Sequence, residues 1–387
     1  MASLRPMIRL ARWRTPIPAS SALLRLQHSR PRCFATASDI RNPDAAAQQQ
    51  QPRSDNRVRI VEVGPRDGLQ NEKKSIPLAT KIELIERLAK TGVSFIEAGS
   101  FVSPKWVPQM DNSSEILSHI LTSPPPSPRP ITYSFLAPNA KGLENATALL
   151  QKHPNTYLTQ AESFSNAHPG RPALELAVFA AATETFSHKN LNCSIATSLS
   201  RFQPVIQGAK QLGLRARAYI SVVLGCPFEG YDVNPHKVAE IATSLLEMGA
   251  DEISLGDTTG LGTAPRTQEL LRCVAAAGIR NEDVAMHFHD TYGQALVNTA
   301  IALERGIRTF DSSVAGLGGC PYSPGATGNV ATENMVYFLE SLGMDTGVDL
   351  DAVADVGHWI SGELGRPNDS AAGKAVLGAR KANAQLN

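Results

Sequence analysis

Between residues 57 and 347, short apolar runs alternate with stretches in which apolar positions recur every three to four residues. A bounded run of four to eight apolar residues reads as a buried strand, and the longer repeat as a helix with one packed face. The runs predict strands at Arg59–Val63, Phe95–Ala98, Ile131–Leu136, Leu174–Ala180, Arg217–Val223, Glu252–Leu255, Val284–Phe288 and Thr309–Val314. The helical repeat covers Leu78–Thr91, Ser114–Leu121, Ser194–Leu212, Pro235–Met248, Pro265–Ala277, Gly293–Arg305 and Asn329–Leu342. Eight βα units in about 285 residues predict an α/β fold, a (β/α)8 TIM barrel with a short helical C-terminal extension. The rival, a doubly wound sheet, has five or six strands and a Gly-rich phosphate turn after the first. No such turn follows Val63.

One stretch fits the plan poorly. His153–Pro172 separates the third helix from the fourth strand and is longer than the usual αβ connection of about 2–6 residues. It is expected to be an exposed insertion on the barrel face opposite the active site, without catalytic duty. Ser123–Pro128 reads as a turn-forming loop.

The polar chemistry collects at strand ends. Gly64-Pro-Arg66-Asp67-Gly68 follows strand 1, Glu97 sits on strand 2, Asp257 ends strand 6, His287-Phe-His289-Asp290 ends strand 7, and a Gly-rich run with Cys320 follows strand 8. In a parallel barrel all eight C-terminal strand ends meet on one face. Arg66, Asp67, Glu97, Asp257, His287, His289 and Cys320 are therefore expected in one pocket.

In a strand, residues i and i+2 share a face, so His287 and His289 point one way and Phe288 the other. By itself the pair is compatible with two metal ligands, or with one core histidine beside a strand-end cap. Asp67 adds a carboxylate and Asn329 an amide oxygen. Mixed oxygen and nitrogen donors without thiolate favour Mg2+ or Mn2+ over structural zinc. The alternatives are a turn cap for Asp67 and a helix N-cap for Asn329. Cys320 lies among glycines and prolines, where a thiol can act as nucleophile or proton donor, or simply fill a turn. Arg66 offers a guanidinium to a developing oxyanion, or a partner to Glu97.

Of the 387 residues 42% are hydrophobic and 19% charged, an ordinary globular balance. No apolar run approaches the ~18 residues that span a bilayer, so no membrane role is expected. The net charge of +1 hides an asymmetry, because residues 1–38 hold seven Arg and no acid, leaving 30 basic against 36 acidic residues elsewhere. That remainder carries no nucleic-acid footprint. The Arg-rich, acid-free start has the composition of a mitochondrial presequence, with processing expected near Arg32–Ala35 and the matrix as destination. A disordered basic tail with no address is the alternative. The expected organisation is a presequence at 1–38, a linker at 39–56, a catalytic domain at 57–347 and an extension at 348–387. Five cysteines at positions 33, 193, 226, 273 and 320 are too irregularly spaced for a disulfide framework or a zinc site.

Four blocks, in order, carry a resemblance. Val63-Gly-Pro-Arg-Asp-Gly-Leu-Gln-Asn71, Ser100-Phe-Val-Ser-Pro-Lys-Trp-Val-Pro-Gln-Met110, His287-Phe-His-Asp-Thr-Tyr-Gly-Gln294 and Ser313-Val-Ala-Gly-Leu-Gly-Gly-Cys-Pro-Tyr322 resemble the 3-hydroxy-3-methylglutaryl-CoA lyases. The resemblance implies cleavage of that thioester to acetyl-CoA and acetoacetate in leucine breakdown and ketone-body formation. It implies Mg2+ or Mn2+ on Asp67, His287, His289 and Asn329, substrate contact by Arg66, catalysis by Cys320, Glu97 and Asp257 as supporting acids, and a homodimer. His287 or Asp67 is expected to take the substrate hydroxyl proton. Phe288 stands where the family commonly has Cys, and Gly99 where Thr is common. The end Ala-Gln-Leu-Asn lacks the peroxisomal tripeptide and the terminal Cys of some relatives, so neither that import nor a C-terminal thiol switch is expected. Two rivals are a Claisen-condensing synthase, which needs a large additional C-terminal domain, and an idle CoA- or metal-binding barrel, expected to lack one of these residues.

Overall fold

The computed structural model describes residues 56–162, 170–319 and 328–386. The expected presequence, all but the last residue of the expected linker, and Cys320 lie outside the described residues. Eight parallel strands close into a barrel: β1 (Arg59–Glu62), β2 (Phe95–Ser100), β3 (Thr132–Leu136), β4 (Ala173–Ala181), β5 (Arg215–Ser221), β6 (Glu252–Asp257), β7 (Val284–Phe288) and β8 (Thr309–Ser312). Each pairs with the next, and β8 pairs back onto β1. Around them lie α1 (Leu78–Ala89), α2 (Ser113–Thr122), α3 (Ala140–Lys152), α4 (Glu184–Leu191), α5 (Ile195–Gln211), α6 (Pro235–Glu247), α7 (Ala264–Ala276), α8 (Ala295–Glu304), α9 (Thr332–Ser341), α10 (Leu350–Leu364) and α11 (Ala371–Leu386). Every expected strand is present, with ends within two residues. The helix α4 was not expected, because it buries only Phe186 and Ser187 and so carries no apolar repeat. Its legible signals are local: a left-handed Asn192 ends it, and Ser194 caps the next helix by accepting from the Thr197 amide.

Each strand has two faces, and they differ in kind. Outward residues such as Ile60, Ile96, Phe135, Val178, Ile253, Met286 and Phe310 join the helices in one continuous apolar core. Inside the barrel the alternating positions hold a small apolar cluster of Leu136, Ala177, Phe179 and Tyr219 and, beside it, buried charge. Arg217, fully buried, lies 2.7 Å from Glu252 and 2.5 Å from Asp311, Arg215 is 3.2 Å from Glu175, and Arg59 also pairs with Glu252. Barrel interiors are usually filled by branched aliphatics. Here three guanidinium groups face three carboxylates.

The described part of the insertion, residues 153–162 and 170–172, sits where expected. The Leu158 amide donates to the Pro172 carbonyl just before β4, and Gln160 reaches the Gly213 carbonyl and Asp251 just before β5 and β6. These are the N-terminal strand ends, opposite the C-terminal face.

At the other face, two buried carboxylates fix the chain leaving β8. Glu62, ending β1, accepts from the Gly64 and Val314 amides and the Thr332 hydroxyl. Glu333, in the first turn of α9, accepts from the Ala315 amide. Ala315 is held at φ 58°, a left-handed conformation uncommon for a residue with a Cβ. The C-terminal helices brace the same segment, since the Asp369 amide donates to the Ala315 carbonyl and Arg366 bridges Glu72 and the Gly318 carbonyl.

Burial pushes Glu62 up to about 7 and Glu333, with Glu62 nearby, up to about 8. Between the ordinary carboxylate value and these, the folded protein keeps protons that the unfolded chain has released. Their stabilisation is complete below about pH 4.5 and is lost as pH rises through 7 to 8. The melting temperature is therefore expected to fall from pH 5.5 to pH 8.5, and Glu333→Gln to flatten that slope. Scanning calorimetry of both proteins across the window checks it; parallel curves would remove Glu333 from the effect.

Candidate active site and metal centre

The residues after β1 form a single wide π-turn, Gly64–Gly68, that lifts Arg66 and Asp67 onto the C-terminal face. Gly64 and Gly68 sit close against Glu62 and Ser313, where a Cβ would approach within 2.6–2.7 Å of their oxygens. Opposite, β7 delivers His287, and His289 follows as the chain bridges to Asn329. One ligand atom each of Asp67, His287 and His289 lies within 4.8 Å of the others. Among the described residues no other such group of three occurs.

Asn329 joins them, its amide donating to Asp67 Oδ2 at 2.8 Å and to the Leu317 carbonyl. It is not an N-cap, because α9 starts only at Thr332. Two buried atoms at this spot, His289 Nδ1 and Asn329 Oδ1, have no hydrogen-bond partner. Orphaned acceptors beside a carboxylate are the donor set a divalent cation satisfies, and these residues fit one.

The electrostatics agree with that use. Burial and the neighbouring His287 push His289 down to about 4, so it is a neutral donor at pH 7. For Asp67, burial works upward, but Arg66, both histidines and the Asn329 amide outweigh it and hold the carboxyl at about 2. His287 is raised above its ordinary value, its contact with Asp311 outweighing burial.

Arg66 is fixed between two acids, with Nη1 2.8 Å from Asp67 and Nη2 2.7 Å from Glu97, and its guanidinium 5.6 Å from the Tyr219 ring centre. Arg66 makes the pair with Glu97 that one sequence reading expected, and it also lines the cavity. Glu97 itself is sealed beneath the guanidinium, away from the cavity wall. Asp257 does not line the cavity with the others, although it lies near enough to His287 for their charges to interact. In the β6–β7 register Gly256 pairs with His287 and Asp257 with Phe288, so its carboxylate faces outward, accepting from the Gly262 amide. Burial raises it to about 6. Cys320 lies outside the described residues, although Gly319, its neighbour, lines the cavity.

Sequence reasoning missed Asp311, Arg217 and Tyr219. The available signal was a charge or hydroxyl at inward positions of strands expected to be buried. Asp311 Oδ2 stands 3.2 Å from His287 Nδ1, and Tyr219 lies edge-on to the His287 ring at 6.3 Å between centres. Arg66, Asp67, Tyr219, His287 and His289 line a cavity of about 930 Å3 that extends to Lys189 and Arg201 on the α4–α5 side, while Asp311 and Arg217 are buried outside its wall.

Fold and site together define a (β/α)8 barrel with a candidate divalent-cation centre at its C-terminal face. The pattern of the HMGL-like family matches residues 57–360. A Pseudomonas aeruginosa 3-hydroxy-3-isohexenylglutaryl-CoA/hydroxy-methylglutaryl-CoA lyase is 51% identical over 321 residues, covering 83% of this chain and 97% of that one. The rat mitochondrial hydroxymethylglutaryl-CoA lyase is 47% identical over 83% of this chain and 90% of its own. Among solved structures, the hydroxymethylglutaryl-CoA lyase of P. aeruginosa superposes with a TM-score of 0.74 at 50% identity, covering 84% of this chain and 98% of that one. An Acinetobacter baumannii HMG-CoA lyase in complex with coenzyme A and 3-methylmalate gives 0.71 at 32% identity, over 84% and 97% of the two chains. This chain belongs to the HMGL-like family.

His289→Ala is expected to weaken Mn2+ binding at least ~10-fold with the barrel intact. Calorimetric titration reads it, and wild-type affinity in the variant would remove His289 from the donors.

Proposed function

We propose that this protein is a carbon–carbon lyase that cleaves 3-hydroxy-3-methylglutaryl-CoA into acetyl-CoA and acetoacetate. The observation that carries the reading is the Asp67–His287–His289 cluster with Arg66 fixed beside it on one cavity wall, in a chain half identical to named lyases. The C2–C3 bond breaks, its electron pair moving onto the thioester as an enolate, while the C3 hydroxyl loses its proton and becomes the ketone of acetoacetate. Protonation at C2 then gives acetyl-CoA. A divalent cation on Asp67, His287, His289 and Asn329, Mg2+ or Mn2+ by the hardness of the donors, supplies Lewis acidity that lowers the hydroxyl pKa.

The chain's own residues do the rest. Asp67 takes the hydroxyl proton; His287, the other expected base, has Nδ1 facing Asp311 and Nε2 facing the cation site. Arg66, already clamped by Asp67 and Glu97, meets the enolate oxygen without reorganising. Cys320 returns a proton to C2. Glu97 acts through Arg66, and Asp257 through the loop it holds at Gly262. Lys189 and Arg201 on the outer arm of the cavity suit the phosphates of an acyl-CoA.

The chain reads as a presequence at 1–38, a linker to 56, a catalytic domain at 57–347 and an extension at 348–387. The Arg-rich start supports a mitochondrial matrix address; the rat relative is mitochondrial and a zebrafish relative cytoplasmic. A homodimer is part of the same reading, on family resemblance.

Residues 39–387, stripped of metal by chelator and then given Mg2+, are expected to form acetoacetate and acetyl-CoA in equal amounts only after the metal returns. No product from folded, metal-loaded protein would sink the assignment, and acetyl-CoA with 2-keto acids would be tested next. Cys320→Ala should lower turnover by orders of magnitude with substrate affinity largely kept, and Arg66→Gln should lower kcat by about 10²–10³-fold; steady-state kinetics reads both, and near-normal kcat in either variant removes that residue's role.

A further inference from the structure

We propose that Asp311 is a positioning residue for the metal centre, holding the His287 ring with its proton on Nδ1 so that Nε2 is left free as a donor beside Asp67. This rests on the reading of Asp67, His287 and His289 as metal donors.

The His287 ring bridges two carboxylates. Its Nδ1 is 3.2 Å from Asp311 Oδ2 and its Nε2 is 3.9 Å from Asp67 Oδ2. Asp311 lies on the adjacent strand, directly paired with His287 in the β7–β8 register. It cannot turn away, because Arg217 Nη2 donates to its Oδ1 at 2.5 Å and the Ser254 hydroxyl donates to its Oδ2 at 2.8 Å. All three partners are buried, Arg217 and Ser254 completely. A carboxylate held this way by a guanidinium only accepts, so the imidazole nitrogen facing it must carry the proton. The proton on Nδ1 leaves the Nε2 lone pair pointing into the cavity, and the carboxylate raises its basicity toward a cation. Tyr219, edge-on to the ring, limits its rotation from the other side. No carboxylate pairs with His289 in this way among the described residues, and its unpartnered Nδ1 is itself the orphaned acceptor at the cluster. The two histidines are therefore unequal: one is oriented from within the barrel and the other is not.

The competing account is that Asp311 merely neutralises Arg217. Glu252 separates the two, since it pairs with the same guanidinium at 2.7 Å and forms no ion pair with His287. In Asp311→Asn the amide oxygen turns to Arg217 and the NH2 group to His287 Nδ1, which forces the proton to Nε2 and blocks that donor.

The test combines Mn2+ titration calorimetry of the full-length wild type, Asp311→Asn and Glu252→Gln with long-range 1H–15N spectra of the metal-free wild type at alkaline pH. Expected are an Nδ1–H tautomer at His287, Mn2+ affinity lowered about 10–100-fold by Asp311→Asn in a protein with wild-type circular dichroism, and unchanged affinity in Glu252→Gln despite a lower melting temperature. A proton on Nε2 in the wild type, or tight Mn2+ binding by folded Asp311→Asn, overturns the proposal. If Asp311→Asn does not fold, the wild-type tautomer decides. Failure of the wild type to bind Mn2+ with the Nδ1–H tautomer present overturns the metal reading and leaves the Asp311–His287 orientation standing.

Discussion

The geometry of the site depends on a guanidinium that never meets water. Arg217 is fully buried in the barrel between Glu252 and Asp311. Removing such a group from solvent costs several kcal/mol, and stripping away one partner of a buried pair costs about 3–5 kcal/mol. The buried charges balance, Arg59, Arg215 and Arg217 against Glu175, Glu252 and Asp311. An aliphatic interior would pack as well. The ionic one adds direction, because a carboxylate held by a guanidinium can hold a histidine in turn.

Direction passes upward through strand register. His287 and Asp311 are cross-strand partners, as are Gly256 and His287, so one inward row carries the orienting acid, the imidazole and the space beside it. A residue one step along faces the helices. That parity sends Asp257 outward to the Gly262 amide, although it ends its strand as His287 nearly ends the next. It also seats Phe288 in the apolar core.

The second support is outside the barrel. Glu62 and Glu333 gather the Gly64, Val314 and Ala315 amides, and the C-terminal helices reach the same segment through Asp369 and Arg366. The Gly-rich chain thus leaves β8 from a braced root, and Asn329 at its far side is tied to Asp67 and Leu317.

Fold class was legible because each layer leaves its own period: eight apolar runs separated by helical repeats leave few topologies, and closure follows. The clustering of Asp67, His287 and His289 was legible too, since i, i+2 spacing puts the two histidines on one face and strand-end position puts Asp67 and Arg66 beside them. Three things were not. The orphaned acceptors on His289 and Asn329, the outward turn of Asp257 and the Arg217–Asp311–His287 chain all join residues between 24 and 94 positions apart or depend on which face a strand end presents. Local sequence determines what a residue can donate, accept or bury. Which partner it meets is decided by register and closure, because only the closed barrel brings β5, β7 and β8 within hydrogen-bond reach of one another.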